Sequence, residues 1–514
     1  MSNDIDAVVV LSGGQDSALC LCLASEKYSP GRVAAITFSY GQRHSSELAA
    51  AKTIAASFGI SRHKTVDLDF LPEITSSALL DPSKEISASG AGSPPNTVVE
   101  GRNAFFLLAA GVWAKSLGAH EIWTGVSQTD FSGYPDCRRD FIVAQEKSMS
   151  LAMDWEFRIV TPFMGMSKAD EWDLAKSKGV YDMIDTATVT CYEGIPGDGC
   201  GKCPACILRK NGKEESLRRE IRSLAAKRNA VILAHNYQRP EVQEIADFTG
   251  DSLELARKAA ETDNPVIVFC GVYFMAETAA ILNPGKTILI PDETAGCPMA
   301  DMVTAEDLRA LKAEHPDALA VCYVNSTAEV KAECDICVTS GNAERVMAAL
   351  PADREKIFVP DMHLGGHIAA LRGEKYILWR GWCPTHARIT PQSIERARAA
   401  HPGAPVLVHP ECAKDVRAIA DECLSTGGMC AYARKSGASD IIVATETGIL
   451  HRLRKENPEK TFHPVDEEAV CPNMKKTTLE KLRDCLGGMS PRVTVPDGIS
   501  RRARRAIDAM LAVK

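Results

Sequence analysis

Cys297, Cys383 and Cys471 stand 86 and 88 residues apart, each in a turn containing glycine or proline: AGCPMAD, RGWCPTH, AVCPNMK. A second set keeps the same beat, with His235 in VILAHNY, Tyr323 in AVCYVN and His409 in VLVHPEC spaced 88 and 86. Each member of that set closes a short β-branched apolar run, which predicts a polar residue at the C-terminal edge of a strand. Three repeated α/β units would bring three such edges and three thiolates to a common axis. Thiolates converging from distant repeats suit a metal cluster better than a disulfide, and these three lack the close pairs usual for zinc. They can hold a cubane iron–sulfur cluster and leave one iron without a protein ligand, a Lewis acid for a substrate hydroxyl or carboxylate. The strand-end motifs add His235, Tyr237, Tyr323, Asn325, His409 and Glu411, with Ser252, Ser340, Ser425 and Thr426 as neutral donors. Such a set fits a small, oxygen-rich, multiply anionic substrate whose protons are moved by His or Glu.

The front of the chain holds two further chemical signals. SGGQDS, Ser12 to Ser17, follows the apolar run AVVVL and precedes an apolar helix-compatible stretch from Ala18. Adjacent glycines let backbone N–H groups approach a polyanion, and a helix N-terminus favours its charge. Ser12 and Ser17 can donate hydroxyl bonds, and Asp16 can hold magnesium or orient the loop. There is no Gly-Lys-Ser/Thr, and the string resembles the PP-loop of N-type ATP pyrophosphatases instead. A nucleotide-binding stretch is expected over Leu11, Ser12, Gly13, Gly14, Gln15, Asp16, Ser17, Ala18, Leu19, Cys20 and Leu21, taking ATP with Mg2+. Cys191, Cys200, Cys203 and Cys206 then form C-x8-C-x2-C-x2-C, four thiolates that can close around one structural Zn2+.

These residues need elements to hold them. AVVVLS, RVAAITFSY and HEIWTGVS alternate with helix-compatible runs, which predicts a parallel sheet with helices on both faces. ISASGAGSPPNT, rich in Gly, Ser and Pro, is expected to be a mobile loop. A charged helical segment spans Asn211 to Asn229, and a boundary is placed at 212/213. The rear repeats are expected at about 230–305, 306–390 and 391–490. The tail arginines Arg501, Arg502, Arg504 and Arg505 beside Ile507 and Met510 predict an amphipathic helix with a solvated face. Cys334 and Cys337 form a CxxC pair read as inert, while Cys270, Cys412, Cys423, Cys430 and Cys485 read as buried small side chains. His363 and His367, four apart, mimic a metal pair but lack an acidic third partner, and are expected at a loop-to-helix entry.

Composition bounds the function. With 514 residues, 45% hydrophobic and 25% charged, the chain is long enough for several cores. Its net charge of -8 argues against a broad nucleic-acid surface. No secretory pattern is visible in MSNDIDAVVV, and the longest apolar stretch, Ala104 to Ala114, is too short to span a bilayer and predicts a buried helix. Eighteen cysteines fit a reducing cytoplasm.

Over residues 6 to 210, VVLSGGQDSALCL, ITFSYGQRH, VEGRNAFFLLAAGVWAKSLGA, GVSQTDFSGYPDCRRDFI and CGKCPAC resemble the 7-cyano-7-deazaguanine synthases of queuosine precursor biosynthesis. The resemblance implies an adenine-nucleotide alpha hydrolase-like fold over 1–212. It implies ATP-driven conversion of 7-carboxy-7-deazaguanine and ammonia to the nitrile, with Arg102, Asn103, Tyr134, Asp136 and Arg138 as substrate contacts. Over residues 221 to about 486, AHNYQRPEVQEIADFTGDSLELA, FCGVYFMAETAAIL, YVNSTAEVKA, VTSGNA, VHPEC, TETGILHRL and CPNMKK are similar to quinolinate synthase. That resemblance implies, over 213–514, three αβα-layer units in pseudo-threefold array around one [4Fe-4S] cluster on Cys297, Cys383 and Cys471. It implies condensation of iminoaspartate with dihydroxyacetone phosphate to quinolinate, with L-aspartate oxidase supplying the iminoaspartate. His235, Ser252, Tyr323, Val324, Asn325, Ser340, His409, Pro410, Glu411 and Thr426 would bind the iminodiacid, with Tyr237, His409 and Glu411 catalytic. Two rival readings make the front half a tRNA-acting enzyme or a non-catalytic nucleotide- and zinc-binding module.

Overall fold

The computed structural model describes residues 4–81, 83–86, 95–127 and 134–513. Most of the expected mobile loop (87–94) and part of the GVSQTDFSGYPDCRRDFI motif (128–133) lie outside the described residues. The chain divides into two compact units, Met1–Ser216 and Leu217–Lys514, and the division falls within one helix, Pro204–Arg228.

In the first unit, β1 (Ala7–Val10), β2 (Val33–Ser39), β3 (Arg62–Asp67), β4 (Glu121–Trp123) and β5 (Arg158–Val160) form one sheet in the order β3-β2-β1-β4-β5. Every pairing is parallel. The AVVV run of β1 is apolar throughout because helices cover both sheet faces. Ala7 and Val9 enter one core with the helix Gln15–Tyr28, while Val8 enters the opposite core with the helix Arg102–Ser116. The order reverses beside β1, so the loop leaving it opens into the crevice where open α/β sheets bind ligands. The apolar run Ala104 to Ala114 lies in the helix Arg102–Ser116 but is not buried all round. Phe106, Leu107 and Ala110 face the core, and Leu108 and Val112 are exposed.

The second unit repeats one sheet three times. Its strands are β6 (Ala230–His235), β7 (Phe248–Gly250), β8 (Val266–Cys270) and β9 (Thr287–Leu289); β10 (Leu319–Tyr323), β11 (Ile336–Val338), β12 (Lys356–Val359) and β13 (Ile377–Leu378); β14 (Val406–Val408), β15 (Glu422–Cys423), β16 (Asp440–Ala444) and β17 (Thr461–Pro464). The orders are β7-β6-β8-β9, β11-β10-β12-β13 and β15-β14-β16-β17, all parallel. One core draws Leu233, Val321 and Leu407 from the first strand of each lobe. Capping boxes start one helix in each lobe: Asp251 with Glu254, Thr304 with Asp307, Thr390 with Ser393. The tail forms the helix Asp497–Ala512, which buries Ala503, Ala506, Ile507 and Met510 and leaves Arg501, Arg502 and Arg505 exposed. Among the described residues no helix is long and apolar enough to cross a membrane.

Candidate active site and metal centres

In each rear lobe the first strand runs to the middle of its sheet and releases a polar pair at its end. β6 delivers His235 and Tyr237, β10 delivers Tyr323 and Asn325, and β14 delivers His409 and Glu411. The second strands lead to Ser252, Ser340 and Thr426 at or near helix starts. Turns after the fourth strands carry Cys297, Cys383 and Cys471. All of these residues line one cavity of about 140 Å³, with the prolines that follow each cysteine and with Phe274, Met299 and Met474. Val324 and Pro410 do not line it; both are buried. Ser425 does not reach it either, because its hydroxyl accepts the Gly428 N–H as a helix cap.

The sequence reading missed His386, which lines the cavity, and Thr445, a buried residue behind it. His386 is wholly buried and stacks on His409 with ring centroids 4.8 Å apart. Its Nδ1 lies 2.8 Å from Glu411 Oε2, and its Nε2 lies 2.8 Å from Thr445 Oγ1. Tyr237 Oη is 2.6 Å from the same Thr445 oxygen, and Tyr323 Oη donates to Glu411 Oε1 at 2.5 Å. One proton assignment satisfies these contacts: Tyr237 donates to Thr445, Thr445 to His386 Nε2, and His386 Nδ1–H to Glu411, with Cys383 Sγ 3.1 Å from the same Nδ1. The side chains therefore form a continuous chain from a phenol to a carboxylate.

Burial opposes charge throughout this cavity. It pushes His235 and His409 down to about 3, so both are neutral donors or acceptors. Burial raises Tyr237 and Tyr323, with the Glu411 charge adding to it. Glu411 goes the other way: against the burial cost, His386 and the hydrogen bonds from His386 and Tyr323 hold its carboxyl well below the usual range. Glu446, at the end of β16, is a buried anchor. It accepts the Cys471 N–H at 3.0 Å and the Gly448 N–H at 2.7 Å, and pairs with Lys475 at 2.9 Å. Lys475 in turn donates to the Tyr237 carbonyl at 2.6 Å, tying the third cysteine's turn to the first lobe.

The three cavity thiols do not fall within 4.8 Å of one another, whereas Cys191, Cys200, Cys203 and Cys206 do. Sulfurs around one zinc sit about 3.8 Å apart for Zn–S of about 2.3 Å, so the cavity set is too open for a single ion and the front set fits one. Cys383, His386 and Glu411 also approach within 4.8 Å, but His386 and Glu411 are engaged in the hydrogen bonds above. Burial pushes the Cys297 thiol up to about 12 and raises Cys383 and Cys471, so metal loading must displace their protons.

The front knuckle is built differently. Glu193 N and Cys200 N donate to Cys191 Sγ, and Lys202 N and Cys203 N to Cys200 Sγ, at 3.3–3.4 Å. The N–H groups of Lys202 and Cys203 hold the Cys200 thiol down to about 7, while burial raises Cys203 and Cys206. Gly199 sits at φ +68, and a Cβ there would run into Cys206 Sγ, so the backbone wraps tightly round the four sulfurs.

Beside it, the SGGQDS loop turns between β1 and the helix Gln15–Tyr28. Gly13 has φ +88, and a Cβ there would meet the Glu47 carbonyl. Ser12 N donates to Ser17 Oγ at 3.2 Å, and Ser17 Oγ donates to the Gly14 carbonyl at 3.0 Å. The side chains of Leu11, Ala18, Leu19, Cys20 and Leu21 are packed in the core, so they can offer a ligand no more than backbone. The sequence reading also missed Lys168 and Glu171, which lie outside both the SGGQDS and CGKCPAC strings. Lys168 Nζ lies 2.8 Å from Asp16 and 3.1 Å from Glu171, and against burial it holds the Asp16 carboxyl low.

The remaining expected front contacts divide. Arg102 lies over the Tyr40, Phe106 and Tyr134 rings, and Tyr134 Oη meets Thr97 Oγ1 at 2.7 Å. Asp136 accepts the Asn103 N–H at 2.9 Å, a helix-start contact, and Arg138 is exposed. His363 opens the helix Met362–Arg372 on the Asp361 cap, and among the described residues no third ligand joins it and His367. Cys270, Cys412, Cys430 and Cys485 are buried, and Cys423 is half-buried.

Comparison with known proteins agrees with this division. The family model described as Quinolinate synthetase A protein matches residues 219–512, and that of Queuosine biosynthesis protein QueC matches residues 6–217. Curated relatives called quinolinate synthase include those of Methanoregula boonei (58% identical over 297 residues), Dehalococcoides mccartyi (56% over 299) and Thermus thermophilus (54% over 303). Each alignment takes 58% of this chain and 98–99% of the relative. A 4-thiouridine synthetase–RNA complex with bound ATP matches at 18% identity and TM-score 0.24, over 40% of this chain and 50% of that one, a likeness below what defines a shared fold. The chain belongs to the quinolinate synthetase A family through residues 219–512 and carries ahead of it, over residues 6–217, a unit of the QueC family.

Proposed function

We propose that the rear unit condenses iminoaspartate with dihydroxyacetone phosphate to quinolinate, with loss of phosphate and water. The observation that carries this reading is one cavity in which three cysteines, one from each lobe, face three histidines, two tyrosines and the Glu411 carboxylate. Cys297, Cys383 and Cys471 would hold a [4Fe-4S] cluster, which when bound supplies an open iron as Lewis acid to a substrate oxygen. Ser252, Asn325, Ser340 and Thr426 offer neutral hydrogen bonds to the substrate carboxylates, with His235 and His409 kept uncharged beside them. Glu411, ionised and aimed by Tyr323 and His386, takes a carbon-bound proton during enolisation. The Tyr237–Thr445–His386 chain moves a proton between that carboxylate and a departing hydroxyl. L-aspartate oxidase is the natural supplier of the iminodiacid. The test is quinolinate formation by anaerobically purified chain from enzymatically generated iminoaspartate and dihydroxyacetone phosphate. Formation is expected, and its absence from iron-replete protein overturns the reading.

For the front unit we infer ATP-dependent conversion of 7-carboxy-7-deazaguanine and ammonia to 7-cyano-7-deazaguanine, supported by a phosphate loop at the sheet's switch point beside a zinc-type knuckle. A carboxylate oxygen leaves poorly until it is esterified to phosphate. Activation and attack by ammonia give the amide, and a second activation of the amide oxygen permits dehydration to the nitrile. Lys168, paired with Asp16 at 2.8 Å and Glu171 at 3.1 Å, fixes the Asp16 carboxylate within the loop. ATP consumption dependent on both carboxydeazaguanine and ammonia is expected; ATP turnover indifferent to them rejects the assignment.

A further inference from the structure

Between the knuckle and the phosphate loop lies a short segment, Thr188–Cys191, that touches both. Val189 N donates to the Gly13 carbonyl at 2.9 Å, and Gln15 N donates to Thr190 Oγ1 at 3.4 Å. The next residue, Cys191, is the first sulfur of the knuckle. On the far side, three residues past Cys206, Arg209 is 3% exposed. Its Nη1 donates to Thr188 Oγ1 at 2.8 Å and to Thr190 Oγ1 at 3.1 Å, and its Nη2 donates to the Ile184 and Asp185 carbonyls at 3.0 Å. Trp172 stacks on the guanidinium at 5.2 Å and donates its indole N–H to the Arg209 carbonyl at 3.4 Å. A planar fork so placed fixes the segment in two directions at once, which a lysine ammonium cannot reproduce.

The Thr190 hydroxyl has a further consequence. It offers two lone pairs and one proton. Arg209 and the Gln15 amide point donors at the oxygen, and among the described residues no acceptor takes its proton. The proton is left to donate at the start of the helix Gln15–Tyr28, where an anion is favoured.

We propose that Thr190 is a phosphate-binding donor of the nucleotide site, and that Arg209 is the positioning residue that aims it and couples knuckle occupancy to nucleotide affinity. The proposal rests on the reading of Ser12–Ser17 as a nucleotide loop. Zinc then acts on nucleotide binding without touching the nucleotide: it fixes Cys191 and Cys206, which flank the segment and its arginine clamp.

The test is titration of the full chain with ATP·Mg2+ by calorimetry, alongside zinc quantification and thermal unfolding. Thr190→Val is expected to lose about tenfold in affinity, one charge-assisted hydrogen bond's worth, with zinc content and unfolding temperature unchanged, while Thr190→Ser restores it. Arg209→Met should keep its zinc and weaken ATP to a similar degree, and Arg209→Lys should recover only part. Chelation of zinc from the wild type should weaken ATP binding but add little in Thr190→Val. Wild-type affinity in Thr190→Val overturns the proposal, as does a loss that Thr190→Ser fails to restore. Zinc removal that leaves wild-type affinity intact overturns the coupling. A wild-type chain that binds no ATP overturns the underlying loop assignment instead, so the two failures are separable.

Discussion

The two cysteine sets of this chain solve opposite problems. In the front unit four thiols close in sequence are wrapped by backbone N–H groups and fall within 4.8 Å of one another. In the rear unit three thiols arrive from three lobes, face a common cavity and stay farther apart. A tight set saturates one ion and leaves no vacancy, which makes a staple. An open set needs a polynuclear centre and leaves room for a substrate, which makes a reaction site. Sequence spacing governs the difference: a short loop can fold four sulfurs onto one point, while lobes of whole α/β units can bring only their rims together.

The largest test of this contrast removes one sulfur from each set. Cys383→Ala is expected to abolish quinolinate formation and most bound iron while zinc stays constant. Cys203→Ala should release zinc and leave iron unaltered; parallel iron and zinc analysis on both variants decides it. Glu411→Gln keeps the thiols and removes the proposed base, so iron should be retained while kcat falls by about 10²–10⁴. Loss of iron in this variant would place Glu411 among the metal ligands instead. His386→Gln breaks the proton chain one step back and is expected to cost about tenfold to a hundredfold in rate, again with full iron. Smallest of all, Thr304→Ala removes an exposed capping box whose residues do not line the cysteine-bearing cavity. It should cost about 1 kcal/mol in urea unfolding and change neither metal content nor rate.

How much of this is legible in the sequence depends on whether a residue has counterparts in the other lobes. The cysteine and strand-end positions recur three times, so periodicity exposes them, and the structure brings Tyr237, Asn325 and Glu411 to equivalent strand ends two residues further on. His386 has no such echo: the residues three past Cys297 and Cys471 are Ala300 and Met474. Thr445, just beyond β16, corresponds to Gly271 and Pro360 beyond β8 and β12. A function held by one lobe alone is invisible to a repeat, although the polar run CPTH after a cluster-type cysteine was a signal. Leu108 and Val112 show the other limit. An unbroken apolar run predicts burial on every side, yet a helix lying on one face of a sheet buries only the stripe that touches it.

Iron, sulfide and zinc content of the full chain purified without oxygen tests the contrast most directly. The account predicts about four irons, about four sulfides and one zinc per chain, given three thiolates for a cubane cluster and four for a closed tetrahedral site. Two zincs with no sulfide, or iron bound without zinc, would contradict it.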